Sequence, residues 1–84
     1  MSSLSKGFRV RFNRVNGARG YEIRYAANSA LLDASKTITI ANIYNVTGLE
    51  GGKAYYVKVR AYTIVKGKKI YGKYSKIVKC KTKK

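Results

Sequence analysis

The chain has 84 residues, of which 45% are hydrophobic, and its 19 Lys and Arg residues far outnumber 3 acidic residues, which gives a formal net charge of +16. The hydrophobic content excludes a disordered chain, and a chain of this length forms a single domain, predicted to span residues 1–84. One Cys and no His exclude an internal disulfide and the usual metal-binding clusters. The positive charge attracts anions of many classes, including nucleic acid, cell-wall polymers and lipid headgroups.

Two segments near the start of the chain, residues 8–12 and 21–25, alternate between apolar and charged side chains. This period of two is typical of a β-strand with one buried face. The turn signal Asn16-Gly17 lies between them, because both residues tolerate a positive φ angle. We expect two strands whose core-facing residues are Phe8, Val10, Phe12, Tyr21, Ile23 and Tyr25.

The middle of the chain predicts a loop and two further strands. Residues 26–35 contain only one possible helical turn, which is too short for a stable helix. We interpret this stretch as a loop that packs Leu31 or Leu32 onto the core. Residues 37–40 are β-branched, and residues 42–47 place Tyr44 and Val46 on one face, so both segments favour strands.

The second half of the chain carries the strongest strand signal. Residues 48–52 form a glycine-rich turn, and residues 55–62 then alternate between two sets of side chains. A charged hairpin tip at residues 66–69 precedes a last strand at about residues 75–81, with Val78 and Cys80 facing inward. The inner set of the strong strand is Tyr55, Val57, Val59 and Ala61, and the outer set is Tyr56, Lys58, Arg60 and Tyr62. About six strands and no long helix favour an all-β sandwich.

Residues 49–61 resemble the corner between the fifth and sixth strands of fibronectin type III domains. In that corner a Leu precedes a tight turn, a Tyr follows six residues later, and alternating Val residues end in Ala, as Leu49, Tyr55 and Ala61 do here. The resemblance implies a tyrosine corner, in which the Tyr55 ring packs in the core with Leu49 and its hydroxyl group caps the preceding turn. Residues 15–25 look like the passage from the second to the third strand in the lysine-rich bacterial extracellular members, and residues 71–82 look like the entry to the last strand of the family. The resemblance covers about residues 6–82.

This resemblance implies an immunoglobulin-like, two-sheet sandwich of six to seven strands. It also implies a non-catalytic structural or spacer module of a larger secreted or cell-surface bacterial protein. Its partners would be the neighbouring domains of that protein, held apart or in orientation by a sandwich whose chain ends lie at opposite poles. The location would be extracellular or associated with the cell wall, with any signal peptide encoded outside this chain.

The chain departs from the family pattern at its start. Residues 1–6 leave little room for the family's first strand, which is therefore expected to be short or missing. Without it, the strand at residues 8–12 would be an exposed sheet edge, and such edges recruit other strands. An alternative function follows from this edge, namely strand exchange with another copy or partner to form swapped dimers or a filament.

Basic and aromatic residues share the predicted outer face of the larger sheet. This combination is one design for binding single-stranded nucleic acid, and the family resemblance favours an anionic cell-wall polymer or glycan as the ligand. The same residues also serve as ordinary solvent-facing strand residues, whose stems and rings cover a sheet. The candidate face comprises Arg24, Tyr56, Lys58, Arg60, Tyr62 and Lys79, and the hairpin tip adds Lys66, Lys68 and Lys69.

The chain is predicted not to be an enzyme. Its acids Glu22, Asp33 and Glu50 lie on different predicted elements, so no pair is expected for general acid–base catalysis. Cys80 has no His partner and is expected to be a small buried hydrophobic residue. No cofactor, metal ion or small-molecule substrate is predicted, and no apolar run reaches the roughly 18 residues of a transmembrane helix.

Overall fold

The computed structural model describes residues 2–32 and 34–84, in which eight β-strands and no helix are present. Asp33 lies outside the described residues. The strands are β1 Ser2–Leu4, β2 Gly7–Arg11, β3 Gly20–Ala26, β4 Ser35–Thr39, β5 Ile43–Val46, β6 Ala54–Val65, β7 Lys68–Tyr71 and β8 Val78–Lys81. Each pairing between these strands is antiparallel.

The strands form a three-stranded sheet in the order β1-β2-β5 and a five-stranded sheet in which β4, β3 and β6 are neighbours. On the side of β6 away from β3, β8 pairs with residues 54–57 and β7 pairs with residues 62–65. These two short strands occupy successive halves of one edge position. The eight strands therefore fill seven positions, three in the small sheet and four in the large one.

The apolar faces of the alternating strands meet in one core between the two sheets. The ring of Phe8, from the small sheet, lies 5.7 Å from that of Tyr25 and 6.0 Å from that of Tyr55, both from the large sheet. Removal of this apolar surface from water is the main stabilising contribution. The prediction of an all-β chain with two packed sheets is confirmed. The buried core consists of Phe8, Val10, Tyr21, Ile23, Val46, Tyr55, Val57, Val59 and Cys80.

The loop between β3 and β4 packs neither of its leucines onto the core, so the prediction for this loop is wrong. Leu32 is 68% exposed, and Leu31 is half-buried outside the core cluster with a positive φ of 54°. The Asn28 side chain accepts a hydrogen bond from the Leu32 amide at 2.9 Å and donates one to its carbonyl at 3.0 Å. This pair of hydrogen bonds closes the loop on itself at the surface.

The last strand is shorter than predicted. β8 begins at Val78, which is 41% exposed although an inward position was expected. Its cross-strand partner Val57 is fully buried, so the exposure of Val78 comes from its place at the start of a four-residue edge strand. Cys80, two residues further on, is buried as predicted.

The first strand is present and short. β1 pairs with residues 7–9 of β2, and the same segment contacts the end of the chain. The Lys83 amide donates to the Leu4 carbonyl at 2.8 Å, and the Lys6 amide donates to the Lys83 carbonyl at 2.7 Å. The expectation of chain ends at opposite poles is therefore wrong, because the three residues of β1 lie where the last strand ends.

Candidate functional site

The predicted basic and aromatic face is assembled by the register of the large sheet. Side chains alternate across a strand, so residues paired across neighbouring strands share a face. Arg24 lies opposite Lys58, and Tyr56 lies opposite Lys79. The outer face of the large sheet therefore brings together the six predicted residues Arg24, Tyr56, Lys58, Arg60, Tyr62 and Lys79, together with Glu22, Lys36 and Ile38.

Glu22 is the centre of a buried ionic cluster on this outer face. It lies opposite Arg60 in the sheet, where alternation predicts exposure, yet it is only 1% exposed. Arg60 donates from Nε and Nη2 to the two carboxylate oxygens at 3.1 and 3.2 Å, and the Tyr74 hydroxyl donates to Oε1 at 2.6 Å. Arg24 Nη2 lies 3.5 Å from Oε1. The carboxylate is thus fully engaged by neighbours from three parts of the chain.

This cluster stabilises one protonation state of each of two titratable groups, Glu22 and Tyr74. Burial by itself raises the pKa of Glu22, but hydrogen bonds from Tyr74 and Arg60 and the charges of Arg60 and Arg24 outweigh it and hold the pKa below its usual value of 4.5. Burial and the hydrogen bond to Glu22 raise the pKa of Tyr74 above its usual value of 10.0. At neutral pH the carboxylate is ionised and the phenol is protonated, so neither group is poised for proton transfer.

Tyr74 reaches the cluster from the irregular segment of residues 72–77, which joins β7 to β8. The Gly72 amide donates to the Ala61 carbonyl at 2.9 Å, and the Ser75 amide donates to the Val59 carbonyl at 2.7 Å. These bonds hold the segment along the edge of β6 while interrupting regular pairing, which turns Tyr74 over the outer face. Sequence reasoning missed Tyr74, because it lies between the strands predicted at residues 55–62 and at about residues 75–81.

Three aromatic rings of the outer face, those of Tyr62, Tyr71 and Tyr74, lie against cations of the protein itself. Lys58 Nζ lies 4.0 Å from the centre of the Tyr74 ring, Arg60 lies 3.8 Å from that of Tyr71, and Lys69 Nζ lies 4.8 Å from that of Tyr62. Such cation–π contacts are favourable where the groups are partly desolvated. Tyr62, predicted to be accessible, is only 8% exposed. These rings therefore do not form an open platform on which nucleic-acid bases could stack.

A row of three cations crosses the same face one position away from Glu22. Lys36 of β4, Arg24 of β3 and Lys58 of β6 lie directly opposite one another in adjacent strands. Like charges in this arrangement destabilise a sheet. The Nε atom of Arg24 is buried without a hydrogen-bond partner. The row is thus a part of the outer face whose positive charge the protein offsets incompletely.

The lysines of the hairpin tip lie far along the long strand β6. Lys66 and Gly67 form the two-residue turn with positive φ angles of 51° and 78°. Lys68 and Lys69 begin β7 opposite Val65 and Ile64. All three lysines are exposed, so they form a cationic tip and do not extend the cation row of the sheet.

The predicted tyrosine corner lies at the other end of β6. The Tyr55 hydroxyl accepts a hydrogen bond from the Glu50 amide at 3.4 Å, and Leu49 packs against the core cluster that contains the Tyr55 ring. Thr82, which sequence reasoning missed and which directly follows β8, holds the same turn. Its hydroxyl donates to the Glu50 carbonyl at 2.6 Å and accepts from the Lys53 amide at 3.0 Å.

Among the described residues, His, Cys, Asp and Glu do not cluster in groups of three or more that could hold a metal ion. Within the same part of the chain, no helix is long and apolar enough to cross a membrane. No protein-family model matches the chain, and no curated protein matches it.

Proposed function

We propose that the chain is a non-catalytic structural module of the immunoglobulin-like, fibronectin type III kind, within a larger secreted or cell-surface bacterial protein. The observation that carries this proposal is the hydrogen bond from the Glu50 amide to the Tyr55 hydroxyl at the start of the longest strand. This geometry is what a tyrosine corner requires, and the corner is the segment on which the family resemblance depends.

The ionic cluster supports a mechanical role. Glu22, Arg60 and Tyr74 bond to one another and clamp the irregular segment of residues 72–77 onto β6. Their pKa shifts favour the ionised acid and the protonated phenol, so these groups serve stability at neutral pH. A rigid sandwich of this kind orients whatever is attached to it.

The positions of the two chain ends determine how such a module would hold its neighbouring domains. Because residues 4–6 bond to residue 83, domains attached at the two ends would sit close to each other. The module would then hold its neighbours in a fixed orientation and would not space them along a rod.

The parent gene provides the direct test. We expect it to encode a secretion signal and further extracellular domains beside this one. A parent with neither feature would contradict the proposal, whereas a parent with both would leave only the orientation to be measured by small-angle scattering of a fragment that includes one neighbour on each side.

A second function, binding of an anionic cell-wall polymer or glycan, is favoured by the cation row of Lys36, Arg24 and Lys58. The occupied aromatic rings make nucleic acid a poorer ligand for this face. Binding to teichoic acid, an acidic polysaccharide and single-stranded DNA would be compared for the wild type and Lys36→Gln/Lys58→Gln at two salt concentrations. Lys81→Gln/Lys83→Gln removes the same charge elsewhere, and equal losses in both variants would leave only a general charge effect.

Strand exchange, the third function considered, has less support because β1 covers residues 7–9 of β2. Arg11, at the end of β2, has no pairing partner among the described residues of β1. Size-exclusion chromatography with light scattering is the test, and a monomer over a wide range of concentrations would exclude this function.

A further inference from the structure

The hairpin of β6 and β7 projects beyond the sandwich. β3 pairs with β6 only as far as Tyr62, which lies opposite Gly20. Beyond that point, residues 63–65 pair with residues 68–70 and with no other described strand. We call residues 63–71 the ribbon. It adds to the elongated shape of the molecule, which measures 44 × 23 × 20 Å.

The ribbon exposes large apolar side chains on both of its faces. Ile64 and Tyr71 point to one face, with exposures of 42% and 37%, and Val65 and Ile70 point to the other, with exposures of 51% and 53%. Val15, 53% exposed, lines the same open groove of about 290 Å³ as Ile70. A two-stranded ribbon alone is marginally stable in water. Clustered apolar exposure of this kind marks an interaction site.

Cations surround these apolar residues. Lys66, Lys68 and Lys69 at the tip are exposed, as are Arg14 and Arg19 in the adjacent loop. Among the acids that the structure describes, Glu22 is buried under Arg60, and Glu50 precedes the far end of the 12-residue strand β6. At about 3.3 Å per residue, the part of that strand from Ala54 to Thr63, where the ribbon begins, separates Glu50 from the ribbon by roughly 30 Å.

We propose that the ribbon docks on an anionic lipid surface. Its apolar side chains point to opposite faces, so a single folded partner surface would cover one face and leave the other in water. A fluid lipid interface closes around both faces. Lysine stems lie along apolar surface while their ammonium groups reach the lipid phosphates, and each basic residue near an anionic leaflet strengthens binding.

The mixture of lysines and apolar side chains on the ribbon favours shallow binding at the headgroup boundary. The ribbon lies edge-on along the interface, so that its lysines reach the phosphates while Ile64, Val65 and Ile70, on its two faces, contact the upper acyl chains. A soluble polyanion would engage the lysines but would leave these apolar side chains exposed. The chain ends lie at the opposite end of β6, where Ala54 pairs with Lys81, so attached domains would not cover the ribbon.

Vesicle co-sedimentation tests this proposal with the intact chain. The lipids are an equal mixture of phosphatidylglycerol and phosphatidylcholine, with phosphatidylcholine alone as the uncharged comparison, at about 0.15 M salt. Ile64→Thr/Ile70→Thr removes apolar surface from the ribbon. Its matched control is Leu32→Thr/Ile77→Thr, which changes two side chains that are 68% and 49% exposed elsewhere. Circular dichroism checks that each variant is folded.

We expect the wild type to bind the mixed vesicles and not the uncharged ones. The ribbon variant should bind about tenfold more weakly, and its control should bind as the wild type does. Replacing Lys66, Lys68 and Lys69 with Gln should weaken binding by roughly a hundredfold. The same replacement at Lys81, Lys83 and Lys84, which removes equal charge at the other end, should have a much smaller effect.

A direct contact measurement separates lipid insertion from charge attraction. In Val65→Trp, bound to vesicles that contain brominated lipid, Trp fluorescence should be quenched, whereas Lys81→Trp should be unaffected. The proposal is overturned by absence of binding, by equal losses in the two lysine sets, or by an unquenched Val65→Trp. It is also overturned if the isoleucine variant binds like the wild type, since soluble polyanions would then be the better ligand class.

Discussion

The two ends of β6 differ in burial, although the same alternation of side chains runs through both. Val57 and Val65 stand on the same face of the same strand, yet Val57 is fully buried and Val65 is 51% exposed. β6 is flanked by β3 and β8 around Val57, and its inner face there packs in the core with Phe8 and Val46 of the small sheet. At Val65 its described partner is Lys68 of the ribbon, outside the core cluster. The period of two decides to which side of the strand a side chain points. The opposing sheet decides whether the side chain is buried there.

The largest expected effect is found by comparing one isoleucine of the core with one isoleucine of the ribbon. Ile23 is fully buried in the core, and Ile64 is 42% exposed on the ribbon. Ile23→Ala should lower the free energy of unfolding by about 4 kcal/mol, and Ile64→Ala should change it by less than about 0.5 kcal/mol. Urea denaturation measures both. Similar losses in the two variants would mean that the ribbon is covered in solution, for example by self-association.

The second comparison is between two acids. Glu22→Gln should lower the free energy of unfolding by about 2–3 kcal/mol, because it leaves Arg60 and Arg24 without the buried carboxylate charge. Glu50→Gln removes an exposed ion pair with Lys53 at 3.3 Å and should cost less than about 0.5 kcal/mol. The same denaturation measurement applies. Equal stability of wild type and Glu22→Gln would show that the cluster contributes no net stability.

The third prediction concerns the proposed tyrosine corner at the start of β6. Tyr55→Phe keeps the buried ring but removes the acceptor of the Glu50 amide, and should lower the free energy of unfolding by about 1 kcal/mol. Tyr56→Phe, next in the chain and half-buried on the outer face, is the control and should be close to neutral. If the two variants cannot be distinguished in thermal unfolding, the 3.4 Å bond has no energetic significance.

The smallest effect is the dependence of stability on acid pH. The pKa of Glu22 is lower in the folded chain than its usual value of 4.5, so its ionised form is favoured by folding. The stability that results is fully present above pH 4.5 and is lost as the pH falls through the lower folded value. Thermal unfolding measured from neutral to strongly acidic pH should therefore show a decline below 4.5. The decline should be reduced in Glu22→Gln and retained in Glu50→Gln.

Much of the sandwich could be predicted from local pattern, and much of the candidate site could not. The inward positions Phe8, Val10, Ile23 and Val59 follow from alternation alone, since a strand in a sandwich must bury one face. The membership of Arg24, Lys58 and Arg60 in one outer face followed from the same rule. Tyr74 could not be placed, because it belongs to no regular strand and its partner Glu22 is 52 residues away in the chain.

The sequence by itself determined β2, β3 and β6, most of their inward side chains and the basic surface. These depend on residue type and on a period of two, which are local properties. Only the tertiary structure decided that Glu22 and Tyr62 are buried on an outer face and that Val65 and Ile70 are exposed. Burial depends on what lies opposite, and in an antiparallel sandwich that neighbour comes from a distant part of the chain.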